Sequence, residues 1–354
     1  SARIEPLDTI ERQLTSVVRL ADADAEAVAA LGTPVGRLVA VDPHAAVVCK
    51  GASLITRCAI ASRHLFAAGG RTALPSLLAR TKERKPTVAA AIQRALVALS
   101  LTGALALTDD SVLDTLTSAK GFRAVSPDSR ARVADWLATT ALAALHGSGE
   151  MTDEWVRQDL GNGTAAPELV VLLGLVAPAQ GIFIPDAVVR AVRSSGRLVS
   201  SLGPALASLL TDAAPQVRAS AAASLSLLTI ATGQPAAVEP LLHPVPDAKA
   251  APARALHAAL TKRFSGARGG AAPAAPASVQ RSASATRSAA SSPSGASGAK
   301  GPRGRLLGTQ GGRRTASTPK LSAGPPSSKV QTQPPSPNGD RQAQQTQQAQ
   351  QTQQ

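Results

Sequence analysis

Side chains able to do chemistry are few in this chain, and they are dispersed. The five histidines, His44, His64, His146, His243 and His257, form no cluster with Cys or acidic residues at the spacing that holds a zinc ion. Cys49 and Cys58 stand nine positions apart, which fits neither a zinc knuckle nor a redox Cys-x-x-Cys pair. Two cysteines are also too few for a secreted disulfide framework, so they read as reduced thiols. Gly161-Asn162-Gly163-Thr164-Ala165-Ala166 loosely resembles a dinucleotide fingerprint. That loop works only between a strand and a helix of a βαβ unit, and the sequence offers neither, so it reads as a loop between helices. Asn162-Gly163-Thr164 is a glycosylation sequon only in a secreted protein. No catalytic residue, metal ion or cofactor is expected, and the chain reads as non-enzymatic.

The chemistry that remains is charge. Lys82, Arg84 and Lys85 crowd ahead of Pro86, Lys120 and Arg123 precede Pro127 with Arg130 and Arg132 after it, and Arg218 stands three residues past Pro215. Turn cations often serve only to keep a turn solvated. Arg218 is less ordinary, because it falls in the first turn of an expected helix, where the macrodipole favours acids. A residue held against local preference points to function. Together these cations read as a docking surface for an acidic partner.

The elements that must position them repeat. A proline recurs just ahead of an amphipathic helix at Asp42-Pro43, Lys85-Pro86, Ser126-Pro127 and Ala214-Pro215, with spacings of 43, 41 and 88, the last being twice 44. Proline suits the first helical turn, where its missing N–H costs nothing, and Asp42 and Ser126 are placed to cap. Small or apolar residues follow at +2, +6, +10 and +13: Val88, Ile92, Leu96 and Leu99 after Pro86, and Val217, Ala221, Leu225 and Leu228 after Pro215. Another apolar segment precedes each such helix, for example Leu74, Leu77 and Leu78, or Leu202, Leu206, Leu209 and Leu210. Helical hairpins of about 40 residues are the units of HEAT-type and armadillo-type solenoids, and they bury their apolar faces only by stacking. The sequence therefore predicts an all-α solenoid of about six hairpins with the turns in line along one edge. One further unit is expected between Pro127 and Pro215, opened by Pro167.

Composition divides the chain near residue 265. All 4 Phe and both Trp lie before it, and there is no Tyr. Residues 265–354 carry 11 Lys and Arg against one acid, Asp340, so about +10 of the formal net charge of +14 belongs to this stretch. A segment so charged and so poor in large apolar groups does not bury enough surface to offset the entropy of ordering. The expectation is a folded domain over 1–264 and a basic, disordered tail over 265–354 with a Gln-rich end. The longest apolar run, Leu169 to Ala177, is well short of the roughly 20 residues that span a bilayer.

Three segments resemble the TOG domain, the tubulin-binding HEAT array of microtubule polymerases and CLASP proteins, and its polymerase branch in particular. Leu74-Pro75-Ser76-Leu77-Leu78 with Lys82-Glu83-Arg84-Lys85-Pro86-Thr87-Val88 is similar to the third repeat. Asp212-Ala213-Ala214-Pro215-Gln216-Val217-Arg218-Ala219-Ser220-Ala221 resembles the fifth, and Glu239-Pro240-Leu241-Leu242 with Asp247 and Lys249 the closing repeat. The resemblance implies that the intra-repeat turns bind curved αβ-tubulin. It implicates Arg84, Lys85 and Pro86, Pro215 and Arg218, and the turns Asp42-Pro43-His44 and Ser126-Pro127-Asp128. It further implies αβ-tubulin and microtubules as partners, alongside end-binding or other microtubule-associated proteins, and a place in the cytoplasm on microtubules and the spindle. Lys85 and Arg218 should then project from one edge, exposed and without a buried partner.

The tail suits such a partner on physical grounds. Arg281, Arg287, Lys300, Arg303, Arg305, Arg313, Arg314 and Lys320 are spread through Ser, Ala, Gly and Pro, a polycation able to contact an acidic lattice with salt-sensitive affinity. Ser292, Thr318 and Ser336 each precede proline, and a phosphate on any of them would remove roughly two units of positive charge. Two alternatives stay open: a general HEAT scaffold, and an RNA-binding protein whose tail would use Gly301-Pro302-Arg303-Gly304-Arg305 and Gly311-Gly312-Arg313-Arg314. The lack of aromatic residues in the tail argues against the second, since single-strand binders stack bases on aromatic rings.

Overall fold

The structure is a computed structural model that describes residues 4–15, 22–158 and 167–269. The eight cationic tail positions, the three Ser/Thr-Pro pairs and the segment Gly161–Ala166 lie outside the described residues. By its contacts the chain separates into two units, residues 1–280 and 281–354, and the helices belong to the first.

Two layers of helices make up this unit. The outer hairpin helices are α2 (Asp22–Ala30) with α3 (Gly32–Val41), α5 (Ala67–Arg80), α7 (Asp110–Thr117), α12 (Gly196–Leu209) and α14 (Val238–Leu242). Their partners are α4 (Ala45–Ser62), α6 (Pro86–Leu101), α8 (Pro127–His146), α13 (Pro215–Ala231) and α15 (Asp247–Gly269). A further helix, α1 (Ile4–Thr15), packs on α4 and begins the second layer. Within the second layer α1, α4, α6, α8, α13 and α15 contact one another in that order, and in the first layer α3 packs on α5 and α7 on α12. Five hairpins and the half-unit α1 thus form a HEAT-like solenoid among the described residues.

The helices start where proline dictates. Pro86, Pro127 and Pro215 occupy the first turn of α6, α8 and α13. Pro43 differs: it lies in the turn itself, and α4 begins two residues later at Ala45. The +2, +6, +10, +13 positions form the buried stripe, with Val88, Ile92, Leu96, Leu99, Val217, Ala221, Leu225 and Leu228 all at most 2% accessible. Trp136 of α8 is fully buried, and its indole N–H donates to Ser100 Oγ of α6, which pairs with Thr140 Oγ1 at 2.8 Å. A polar pin therefore crosses the core between α6 and α8. At the first crossing the backbones nearly touch: a Cβ on Gly32 would lie 2.3 Å from the Cα of Gly69.

The unit expected to open at Pro167 is absent from the stack. Pro167 does begin a helix, α10 (Pro167–Val176), but α8 packs directly on α13 and α7 on α12. Residues 147–158 and 167–195 lie outside the stack as an insertion holding α9 (Asp153–Gln158), α10, α11 (Asp186–Arg193) and a two-residue antiparallel ladder, β1 (Gly149–Glu150) with β2 (Phe183–Ile184). The physical reason lies in α8 and α13, whose apolar faces, rich in small residues such as Ala134, Ala138, Ala221 and Ala223, satisfy one another without an intervening hairpin. The insertion rests on α8 through α10 and α11, and Arg63 lies over the Phe183 ring at 5.2 Å.

From Ala45 to Arg80 the chain is as long and apolar as a membrane span. Its large side chains, Leu54, Ile55, Leu74 and Leu77, are buried in the solenoid core.

Candidate functional site

The hairpin turns line one edge, and arginines tie the first four in series. Arg80, at the end of α5, donates through Nε to Val39 O at 2.7 Å and through Nη2 to Asp42 O at 2.5 Å, linking the second turn to the first. Arg132 of α8 donates to the carbonyls of Thr81 and Glu83, linking the third hairpin to the second turn. Arg130 meets Asp212 in the turn before α13. Bonds of this kind, with a charged donor, contribute roughly 1.5–3 kcal/mol each.

The turns themselves are built on two recurrent devices. Asp42 Oδ1 accepts the N–H of His44 at 2.8 Å, and Asp212 Oδ1 accepts that of Ala214 at 2.9 Å, so both aspartates fold the chain back two residues on. Asp42 is accordingly buried, as a turn former. Ser126 occupies the cap position of α8 but makes no side-chain cap bond. An arginine secures the carbonyls of the turn ahead of it: Arg130 Nη1 donates to Ala124 O and Val125 O at 2.6 and 2.8 Å. Arg218 does the same one hairpin later, with Asp212 O and Ala213 O both at 2.8 Å.

That geometry corrects the expectation for Arg218. It stands three residues past its proline, as Arg130 does, and its guanidinium is folded onto its own turn. The carbonyl oxygens it meets explain a cation at a helix start that disfavours one. Lys85 is different: exposed, and in no ion pair among the described residues. Arg84 is 93% exposed, its Nε 4.0 Å from Asp128 of the next turn. Pro43, His44, Pro86 and Pro215 are exposed, while Ser126, Pro127 and Asp128 are half-buried.

Sequence reasoning passed over two residues on this edge. Val41 and Val125 are 79% and 96% exposed, each two positions before its proline. Arg84 and Ala213 hold the same register and are exposed or partly exposed too. The outermost position of four turns is thus Val, Arg, Val, Ala, and the proline register was the signal that could have found it. An acidic surface with apolar patches is the complement of this edge.

Elsewhere the chemistry is muted. Burial pushes the Cys58 thiol up to about 12, which removes it as a nucleophile, and Cys49 forms no disulfide. Among the described residues no three His, Cys, Asp or Glu side chains converge to hold a metal ion. An apolar cavity of about 310 Å³ lies between the end of α6 and α11, at the far end of the helices from the turns.

No protein-family model matches the chain, and no curated protein does. A solved structure from work on the structural basis of microtubule plus-end tracking by XMAP215, CLIP-170 and EB1 is similar at 20% identity, over 71% of this chain and 82% of that one, with a TM-score of 0.48.

Proposed function

We propose that this protein is a non-enzymatic microtubule-associated protein that captures αβ-tubulin on its row of hairpin turns. The observation that carries the reading is the edge itself: turns tied in series by Arg80, Arg132 and Arg130, with Arg84 and Lys85 exposed on it between Val41 and Val125. Its motifs are those that resemble the TOG domain. Cations offered on a fixed frame meet an acidic partner without the entropy cost of ordering a loop. Arg84 and Lys85 act as the charged contacts, and Val41 and Val125 as apolar contacts at the neighbouring turns. Arg218, Asp42 and Arg130 hold the turns in shape and act through them. The basic tail adds a salt-sensitive attraction to the acidic lattice and keeps the solenoid near further tubulin.

The test is sedimentation or anisotropy with purified αβ-tubulin. Arg84→Glu with Lys85→Glu should weaken dimer binding at least tenfold while the thermal transition stays in place. Unaltered binding by the folded double variant would remove the turn edge as the tubulin site.

A further inference from the structure

The insertion creates a second recess, away from the turn edge. Helix α10 stands over the faces of α6, α8 and α13 and encloses a cleft of about 640 Å³. Val170, Val171 and Leu175 form one wall, and Ala89, Ala219 and Ala223 part of the other. A volume of this size is typical of ligand sites, with apolar walls and a few fixed polar groups.

The polar groups here have unspent hydrogen-bonding capacity of both kinds. Gln93 Nε2 donates to Arg132 O at 3.3 Å, but its Oε1 is buried with no partner. Arg94 is half-buried, its Nη1 donates to Pro178 O at 3.4 Å, and it has no carboxylate partner among the described residues. Burial, and secondarily the charge of Arg57, pushes the Arg94 guanidinium down from its ordinary value, as expected of a cation lacking a counter-charge. Asp135, on the α8 side, is held by Ser220. A buried acceptor without a donor has lost its water and gained nothing in exchange, so a cleft with these groups is incomplete.

We propose that this cleft binds a short extended peptide segment of a partner protein, carrying a carboxylate side chain between small aliphatic residues. The carboxylate pairs with Arg94, a backbone N–H of the segment donates to Gln93 Oε1 once that amide turns toward the cleft, and the aliphatic groups lie against Val170 and Val171. A simple anion would satisfy Arg94 and leave Gln93 without a donor. A basic segment would face Arg94 and Arg132 against the single carboxylate of Asp135.

Fluorescence anisotropy of the full chain tests this, with a pool of labelled hexapeptides in which one Asp or Glu is fixed among Ala, Val, Ser and Gly, against the same pool with Asn or Gln. The acidic pool should bind at least tenfold more tightly. Arg94→Gln should abolish that preference, and because it leaves the basic tail intact, the loss is assigned to the cleft. Gln93→Ala should weaken both pools, and Asp135→Asn should strengthen the acidic one. Should Arg94→Gln unfold the chain, Val170→Glu decides, since it sits at an exposed position on the facing wall and should block the acidic pool. No preference for the acidic pool, a preference that survives both Arg94→Gln and Val170→Glu, or full competition by inorganic sulfate with no effect of Gln93→Ala would each overturn the proposal. Tubulin binding by these variants should stay unchanged, which separates this site from the turn edge.

Discussion

Arg130 and Asp212 meet across 82 residues of sequence: Nε and Nη2 of the arginine lie 2.8 and 2.7 Å from the same carboxylate oxygen, Oδ2. The contact places the hairpins of α8 and α13 side by side and leaves the insertion outside them. Both side chains are largely buried, at 18% and 11% accessible. Removing one partner strands the other charge, so Asp212→Ala should cost about 3–5 kcal/mol in urea unfolding. A loss under about 1 kcal/mol, the range of exposed pairs, would show the pair to be solvated in solution.

Arg218 and Lys85 should separate by experiment. Arg218→Ala frees two carbonyl oxygens of the turn before α13 and should lower stability by roughly 1–3 kcal/mol. Lys85→Ala should stay within about 0.5 kcal/mol of the parent in the same melt, and reduce tubulin binding instead. Equal stability losses would contradict the division of roles.

Asp135 gives the fold a pH signature. Burial pushes its carboxyl up to about 6, against partial lowering by Ser220 and then Arg132. With the folded value above the unfolded one, the native state binds the extra proton, so stability is fully present below about pH 4 and falls as pH rises toward the folded value. The loss should be at most about 3 kcal/mol. Asp135→Asn should flatten that part of the stability profile, and an unchanged profile would show the carboxyl to be solvated.

Crowding at the first crossing offers a packing test. With Gly69 backbone 2.3 Å from a Cβ at position 32, Gly32→Ala must push α3 from α5. Overpacking of this sort costs typically about 1–3 kcal/mol, readable as a lower denaturation midpoint. A neutral result would mean that the helices separate freely there.

Truncation should split the two binding modes. A chain ending at Gly269, the last residue of α15, should still bind dimeric tubulin but bind microtubules more weakly and with a shallower salt dependence. Unchanged lattice binding would leave the tail without that role.

The solenoid was legible because its signals are local and repeated: a proline fixing each helix start, and a stripe at +2, +6, +10 and +13 that Val88 to Leu99 and Val217 to Leu228 bury as expected. Pro167 misled because a helix-opening proline says nothing about which helix its element packs upon. That is settled by small side chains on α8 and α13, far apart in sequence. Arg218 was legible as unusual, while its purpose needed the carbonyl positions of residues 212 and 213. Val41 and Val125 were marked only by their register two residues before a proline, a signal that gains meaning once the turn shows which way they face.

The arginine rungs along the turns also decide how this solenoid deforms. Stacked hairpins yield most easily by sliding and rocking at their interfaces, because each touches only its neighbours. Here Arg80, Arg132 and Arg130 pin consecutive hairpins at the turn end. These rungs resist sliding of one hairpin past the next at the turn end, as the Trp136, Ser100 and Thr140 bonds do deeper between α6 and α8. The spacing of the first four turns is thereby held by side chains and not left to helix packing alone.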